Sequence, residues 1–327
     1  MPNIDVHPTL IDFAVFLIGL AVLYFGADWL IRGATSFALR FGIRPLVVGL
    51  TVVALGTSMP EFLVNFFAAV MEQDGLALGN VVGSNICNIA LILGLSAVVY
   101  PMSVSPDTLK KEYPIMMGAM AIFYAVSLDG TISRVDGLVL VSGLVGFLLF
   151  LVLDARRHTA SLDADDLGEM TRREVQMPIA RKVAYLLGGM VMLTLGARLM
   201  VHGAVHIATD MGIDPIVVGL TVVAIGTSLP EMAASVLCAL KKEADLSVGN
   251  ILGSNLLNVF FVVGLVALIR PLHVEETSLT IHFPVMMLFG ILLLPLARTQ
   301  YRITRVEGGL LIACFVGYIA YLVGPYV

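Results

Sequence analysis

Apolar residues fill this chain in long unbroken runs, without the strict alternation of a strand or the narrow stripe of a surface helix. A helix that crosses a bilayer needs about 20 such residues. The runs predict ten spanning helices, at roughly 10–31, 43–71, 77–100, 113–128, 136–154, 181–206, 213–240, 247–269, 280–297 and 306–325. The fourth run is the shortest. Most connections are brief. The longest, about 156–180, carries Asp163, Asp165, Asp166, Glu169 and Glu174 without the spacing or glycine of an EF-hand, which predicts a hydrated linker.

The polar positions that interrupt the runs carry the pattern. Gly56-Thr57-Ser58-Met59-Pro60-Glu61 returns as Gly226-Thr227-Ser228-Leu229-Pro230-Glu231, an offset of 170 (231 minus 61). From Pro45 to Glu61 and from Pro215 to Glu231, 14 of 17 positions are identical. A carboxylate at membrane depth costs about 2.5–3.5 kcal/mol on insertion scales, so such residues usually face a cavity and serve a function. Proline removes a backbone donor and disturbs the preceding turn. The pattern predicts one half-helix ending near Gly56 and another starting near Pro60, with carbonyls around Ala54 to Thr57 free to face a cation. Broken helices of this kind occur in secondary transporters.

A second motif, Gly-Asn-x-x-Gly-Ser-Asn-x-x-Asn, starts at Gly79 and again at Gly249. Glycines four apart allow close helix approach. That does not account for Ser84 and Asn88, or Ser254 and Asn258, each an i,i+4 pair that shares one helix face. Asn85 and Asn255 point elsewhere, toward neighbouring backbone. Further matches at the same offset include Gly26, Gly33 and Gly42 with Gly196, Gly203 and Gly212; Arg134 to Gly137 meets Arg305 to Gly308 one residue later. The chain therefore divides into a five-span repeat over 1–155, a linker over 156–180, and a second five-span repeat over 181–327. An odd span count turns the second copy upside down. The expected fold is an all-α integral membrane protein of ten transmembrane helices, two inverted five-helix repeats with discontinuous second and seventh helices.

Composition agrees: 58% of residues are hydrophobic, 13% are charged, and mean hydropathy is +0.96. No cleavable leader is evident before the first span. Cys87, Cys238 and Cys314 lie in apolar runs and offer neither a disulfide framework nor a CxxC metal pattern. Sixteen of the 19 basic residues fall in the odd-numbered connections, and only Arg134, Arg198 and Arg270 fall outside them. Positive residues stay in the cytoplasm, which places both termini outside.

The shared polar inventory is two carboxylates and a set of neutral oxygens. Hard oxygen donors suit Ca2+, Mg2+, Mn2+ or Na+ rather than zinc or copper. His202 and His206 are i,i+4 but have no acid in the same turn, and an interfacial pair is the expectation. Asp28 and Arg32 are expected to pair near the inner face. The spans hold no HExxH, no GxSxG and no paired catalytic aspartates, which argues against an intramembrane enzyme. Nothing calls for a bound cofactor, nucleic acid or obligate protein partner. A passive cation channel remains a second reading, although broken helices in an inverted repeat favour alternating access.

Together the two motifs resemble the alpha repeats of sodium/calcium exchangers, of the prokaryotic type, in the calcium/cation antiporter superfamily. The resemblance covers essentially the whole chain. It implies antiport of Ca2+ against Na+ at four ion sites near the midplane of a prokaryotic inner membrane, with the first and sixth spans sliding as a gating pair. On that resemblance Glu61 and Glu231, with the carbonyls of Thr57 and Thr227, form the Ca2+ site. Ser58, Ser84, Ser228 and Ser254, with the carbonyls of Ala54 and Ala224, complete flanking Na+ sites, and Asn88 and Asn258 face the centre. One feature departs from the pattern. Well-known prokaryotic members carry an aspartate at one of the two central positions, where this chain has asparagine at both. The coupling ion, Na+, H+ or K+, stays open at this level.

Overall fold

The computed structural model describes residues 8–157, 177–212 and 224–324, with Val218 and Val222 between the last two stretches. Most of the connection expected at 156–180 lies outside the described residues. Local sequence sets many of the helix ends. Pro45 opens α2 (Pro45–Thr57), and Pro60 stands in the first turn of α3 (Met59–Val70). An early proline costs no hydrogen bond, because the first amides of a helix have no partner within it. α1 (Pro8–Phe41) stops at Gly42, with φ +61°. α7 (Ile179–Asp210) stops the same way before Gly212, with φ +77°.

The chain continues through α4 (Asp74–Val99), α5 (Glu112–Ser127) and α6 (Arg134–Arg157) before α7. After it come α8 (Ala224–Gly226), α9 (Leu229–Leu240), α10 (Ala244–Ile269), α11 (Ser278–Arg298) and α12 (Arg305–Val323). Among the described residues seven helices are long and apolar enough to span a membrane, and the bent pair α2–α3 makes an eighth. α5 is only 16 residues long, and much of the run before α9 lies outside the described residues.

α1 runs ten residues past its expected end at 31, and α7 one turn past 206. At 34 residues, α1 is about 51 Å long at 1.5 Å per residue, more than the roughly 30 Å hydrocarbon core. Where the extra turns begin, Arg32 pairs with Asp28 at 2.8 Å, as expected, and Asp28 also meets Lys241 at 2.5 Å. Ala34, Thr35, Ser36 and Ala38 are buried, so protein contact rather than lipid sustains this end.

The two long helices pack antiparallel along matched glycines. A methyl group at Gly19 would lie 2.5 Å from the Met200 nitrogen, and one at Gly189 would lie 2.5 Å from the Leu30 nitrogen. Gly26, Gly33, Gly196 and Gly203 continue the two stripes at seven-residue spacing. Lipid offers apolar side chains no hydrophobic drive to associate, so close packing of small residues takes its place. Gly249 and Gly253 likewise press α10 against the backbone of α2, as their spacing predicts.

α4 and α10 are the two interior helices, 78% and 83% buried over their apolar windows, against 17–28% for the other five continuous spans. Two short ribbons tie the repeats together. β1 (Met102–Ser103) pairs with β4 (Arg302–Ile303), and β2 (Thr131–Ile132) pairs with β3 (Leu272–His273). In repeat coordinates β1 matches β3 and β2 matches β4, so each ribbon is the other with the copies exchanged. The starts of α6 and α12 match too. Ser133 and Asp136 cap each other as Thr304 and Glu307 do, with Asp136 Oδ2 accepting from Ser133 N at 2.8 Å and Glu307 Oε2 from Thr304 N at 2.7 Å.

Candidate functional site

Each Thr-Ser-x-Pro-Glu segment breaks its helix in the expected place. α2 and α3 meet at Ser58 with a bend of 46°, and α8 and α9 are separated by Thr227 and Ser228. Proline cannot donate back across the break, and the glutamate that follows lies in the first turn of the new helix, where the helix N-terminus favours negative charge. α4 and α10 cross beside the breaks. Both widen into π-helical turns, at Asn88–Ile92 and Asn258–Val263, beginning at the asparagines marked by the sequence. Such turns are rare and cluster at functional sites.

These elements bring five of the expected residues, Glu61, Glu231, Ser58, Ser228 and Ser84, into contact. Glu61 and Glu231 are fully buried and face each other across the repeats. Ser58 donates to Glu231 Oε1 at 2.9 Å, and Ser228 reaches Glu61 Oε1 at 3.4 Å and Ser84 Oγ at 3.3 Å. Each carboxylate thus takes a hydroxyl from the other repeat. Two ionised carboxylates can only accept, and their Oε2 atoms have no donor among the described residues. Both side-chain polar atoms of Asn88 and of Asn258, and Ser254 Oγ, are also buried without a partner. Unmatched polar atoms are costly in a protein interior. The oxygens among them are hard donors that a cation can partner, whereas the two asparagine Nδ2 groups are hydrogen-bond donors and call for an acceptor.

The backbone oxygens behave differently from expectation in one respect. The Ala54 carbonyl accepts from Ser58 N at 2.9 Å and lies 3.2 Å from the Thr57 hydroxyl, so it is engaged within its own helix. Ala224 opens the single turn of α8. Asn255 donates to the Ile251 carbonyl at 2.8 Å, the backbone contact expected of it, whereas Asn85 turns to Met286 Sδ at 3.7 Å.

A model of the sodium/calcium exchanger protein family matches residues 11–153 and 181–324. The chain belongs to the sodium/calcium exchanger family. It is 38% identical to the inner membrane protein YrbG of Escherichia coli, over 94% of this chain and 96% of that one. It is 30% identical to the sodium/calcium exchanger MaX1 of Methanosarcina acetivorans, over 95% and 98%. Its structure superposes on that of the sodium-calcium exchanger NCX_Mj with a TM-score of 0.80, at 31% identity, covering 95% of this chain and 98% of that one. A member of this family is an integral multi-pass membrane protein that transports cations by antiport and is not an enzyme.

In this exchanger the site is held by residues that the motif contained but that sequence reasoning left without a role. Asn250 Oδ1 lies 3.2 Å from the Thr57 hydroxyl, and Asn80 Oδ1 lies 3.1 Å from that of Thr227. Each asparagine steadies the break of the opposite repeat. Asn250 also donates to Ser235 Oγ at 2.9 Å and reaches the Glu231 carbonyl at 3.5 Å. The signal was present: Asn80 and Asn250 match at the repeat offset, inside a motif whose glycines alone had an explanation. α7 also touches both breaks. Met190 packs against Gly56, where a methyl group would lie 2.5 Å from Met190 Cε, and Val201 packs against Gly226.

Proposed function

We propose that this exchanger moves Ca2+ outward against Na+ by alternating access in the inner membrane of a prokaryotic cell. It has ten transmembrane helices in two inverted repeats, 1–155 and 181–327, joined by a cytoplasmic linker over 156–180, with both termini outside. The observation that carries the reading is the pair Glu61 and Glu231, buried face to face with unmatched oxygens around them. Glu61 and Glu231, with the carbonyls of Thr57 and Thr227, take Ca2+. Ser58, Ser84, Ser228 and Ser254, with the carbonyls of Ala54 and Ala224, take Na+, and Asn88 and Asn258 complete the centre. The Ala54 carbonyl already accepts from Ser58 N, so its second lone pair serves Na+ when the Thr57 hydroxyl turns to Asn250 Oδ1. The exchanged ribbons and antiparallel long helices support inverted repeats, and the basic odd-numbered connections support the orientation.

Charge gives the reading its test. Two ionised glutamates balance one Ca2+, whereas three Na+ leave one net positive charge, since Asn88 and Asn258 supply none. Moving that charge is worth about 2.3 kcal/mol per 100 mV. Exchange of three Na+ for one Ca2+ is therefore electrogenic. Na+-dependent uptake of radiolabelled Ca2+ into proteoliposomes, with voltage set by valinomycin and K+, is expected to follow the imposed potential. Na+-dependent flux that ignores voltage refutes the three-for-one scheme. Flux that ignores Na+ and follows a proton or K+ gradient instead replaces Na+ as the coupling ion, the second reading that asparagine at both central positions keeps open.

A further inference from the structure

His202 and His206 lie near the end of α7, and α1 supplies the acid that their own turn lacks. We propose that Asp12, His202 and His206 form a binding site for a divalent transition cation of the Zn2+ class, joining α1 to α7 away from the transport site. His206 Nδ1 and Asp12 Oδ1 are 3.4 Å apart. Two ligand atoms on one tetrahedral ion with bonds of 2.0–2.1 Å lie about 3.3 Å apart, so this pair is already at the spacing of neighbouring ligands. The two imidazole rings are 4.2 Å apart at their centres, and one ligand atom from each of the three residues can be chosen with all separations within 4.8 Å. A modest rotation of the exposed His202 ring closes the set.

The backbone holds this arrangement in place. Gly203 stands between the two histidines, and a methyl group there would lie 2.6 Å from the Asp12 carbonyl oxygen. Only glycine lets α1 and α7 come so close, and the contact fixes the height of Asp12 against the histidines. Affinity rises when ligands are already positioned before binding. Three protein ligands leave a fourth position open, and the histidines are exposed to admit the ion.

Ligand chemistry separates this site from the transport centre. Imidazole nitrogen suits Zn2+, Co2+, Ni2+ or Cu2+, whereas Ca2+ and Na+ prefer the all-oxygen set around Glu61 and Glu231. The opposite end of the helix pair cannot bind the same ion. There the equivalents, 170 residues away, are Lys182 for Asp12, Arg32 for His202 and Ser36 for His206. Lys182 Nζ donates to the Ser36 carbonyl at 2.9 Å, so a fixed ammonium crosses between the helices at the position of Asp12. One end of the pair is closed by a lysine and the other is built for a metal.

The test is a titration of the purified full-length exchanger in detergent with Co2+, read by its visible absorption. One equivalent is expected to give the intense bands of nitrogen-ligated, low-coordinate Co2+, displaced by Zn2+ and not by Ca2+. His202→Ala and His206→Ala are each expected to weaken binding by at least about tenfold, since even outer partners of metal ligands are worth 10–100-fold. The Glu61→Gln/Glu231→Gln double variant keeps it. Unchanged affinity in both histidine variants, or loss of the bands in the double glutamine variant, overturns the proposal. Full affinity in Asp12→Asn overturns the link to α1. Na+-dependent Ca2+ flux by the histidine variants reports that they have folded.

Discussion

The two ends of the molecule are built from the same repeat and packed differently. Where α1 begins and α7 finishes, Phe16, Met200, Val201 and Ala204 line a cavity of about 200 Å³ with Val222, Ile225, Gly226 and Leu229. Their equivalents at the other end are Leu186, Leu30, Ile31 and Ala34, which are all buried. The first end opens beside the Thr227–Ser228 break; the second is closed on its α1–α7 side, although Leu55 and Met59, the equivalents of Ile225 and Leu229, are exposed there. Charge marks the same contrast. At the sealed end Arg44 contacts Glu112 at 3.2 Å and Asp154 at 2.7 Å, while Lys111 holds Asp154 at 2.7 Å. At the looser end His282 stands where Glu112 does and bonds the Tyr318 hydroxyl at 2.8 Å, while Arg270 pairs with Asp74 at 3.1 Å on the same side. Near-identical motif segments can thus be gripped or released by what α1, α5 and α7 place over them. That is the kind of bistability alternating access needs.

The largest effect belongs to the centre, where the two repeats are expected to be equal. Glu61→Gln and Glu231→Gln are each expected to abolish Ca2+ transport in proteoliposomes while leaving a monodisperse, folded protein. Either change leaves a divalent ion half neutralised where screening is weak. Wild-type flux from one of them would mean that only one repeat carries the Ca2+ site.

The next comparison sets the two latches against each other. Arg44→Ala strands the fully buried Glu112 without its cation and is expected to cost about 2–4 kcal/mol, read as a fall in Tm of the purified protein. Tyr318→Phe removes one hydrogen bond at the other end and is expected to cost about 0.5–1.5 kcal/mol. Equal losses would remove the distinction between the ionic contact at Glu112 and the single hydrogen bond at its equivalent, His282.

The smallest and sharpest test adds the same ring at equivalent positions. Ala34 is completely buried, so Ala34→Phe is expected to destabilise by about 1–3 kcal/mol through overpacking. Ala204 borders the cavity, so Ala204→Phe is expected to leave Tm nearly unchanged and to slow Ca2+ entry from that end. A large drop in Tm for Ala204→Phe would show that the cavity closes in solution.

Much of this could be read along the chain because the determinants are local. Apolar runs marked the spans, Pro60 and Pro230 marked the breaks, and a carboxylate in an apolar run marked its own importance. The repeat offset paired every candidate site residue with its counterpart without any coordinates. Other features have no local signature. The continuation of α1 to Phe41 depends on Lys241 reaching Asp28 and on burial of Ala34 and Ala38, contacts made by residues distant in sequence. Asn250 steadies Thr57 from 193 residues away, and Asn80 steadies Thr227 from 147. Asp12 meets His206 only because two glycine stripes bring antiparallel helices together. Period and turn chemistry act between neighbours within a few residues and so are written in the sequence. Which end of a duplicated unit is packed shut is a sum of contacts between copies, and only the assembled structure decides it.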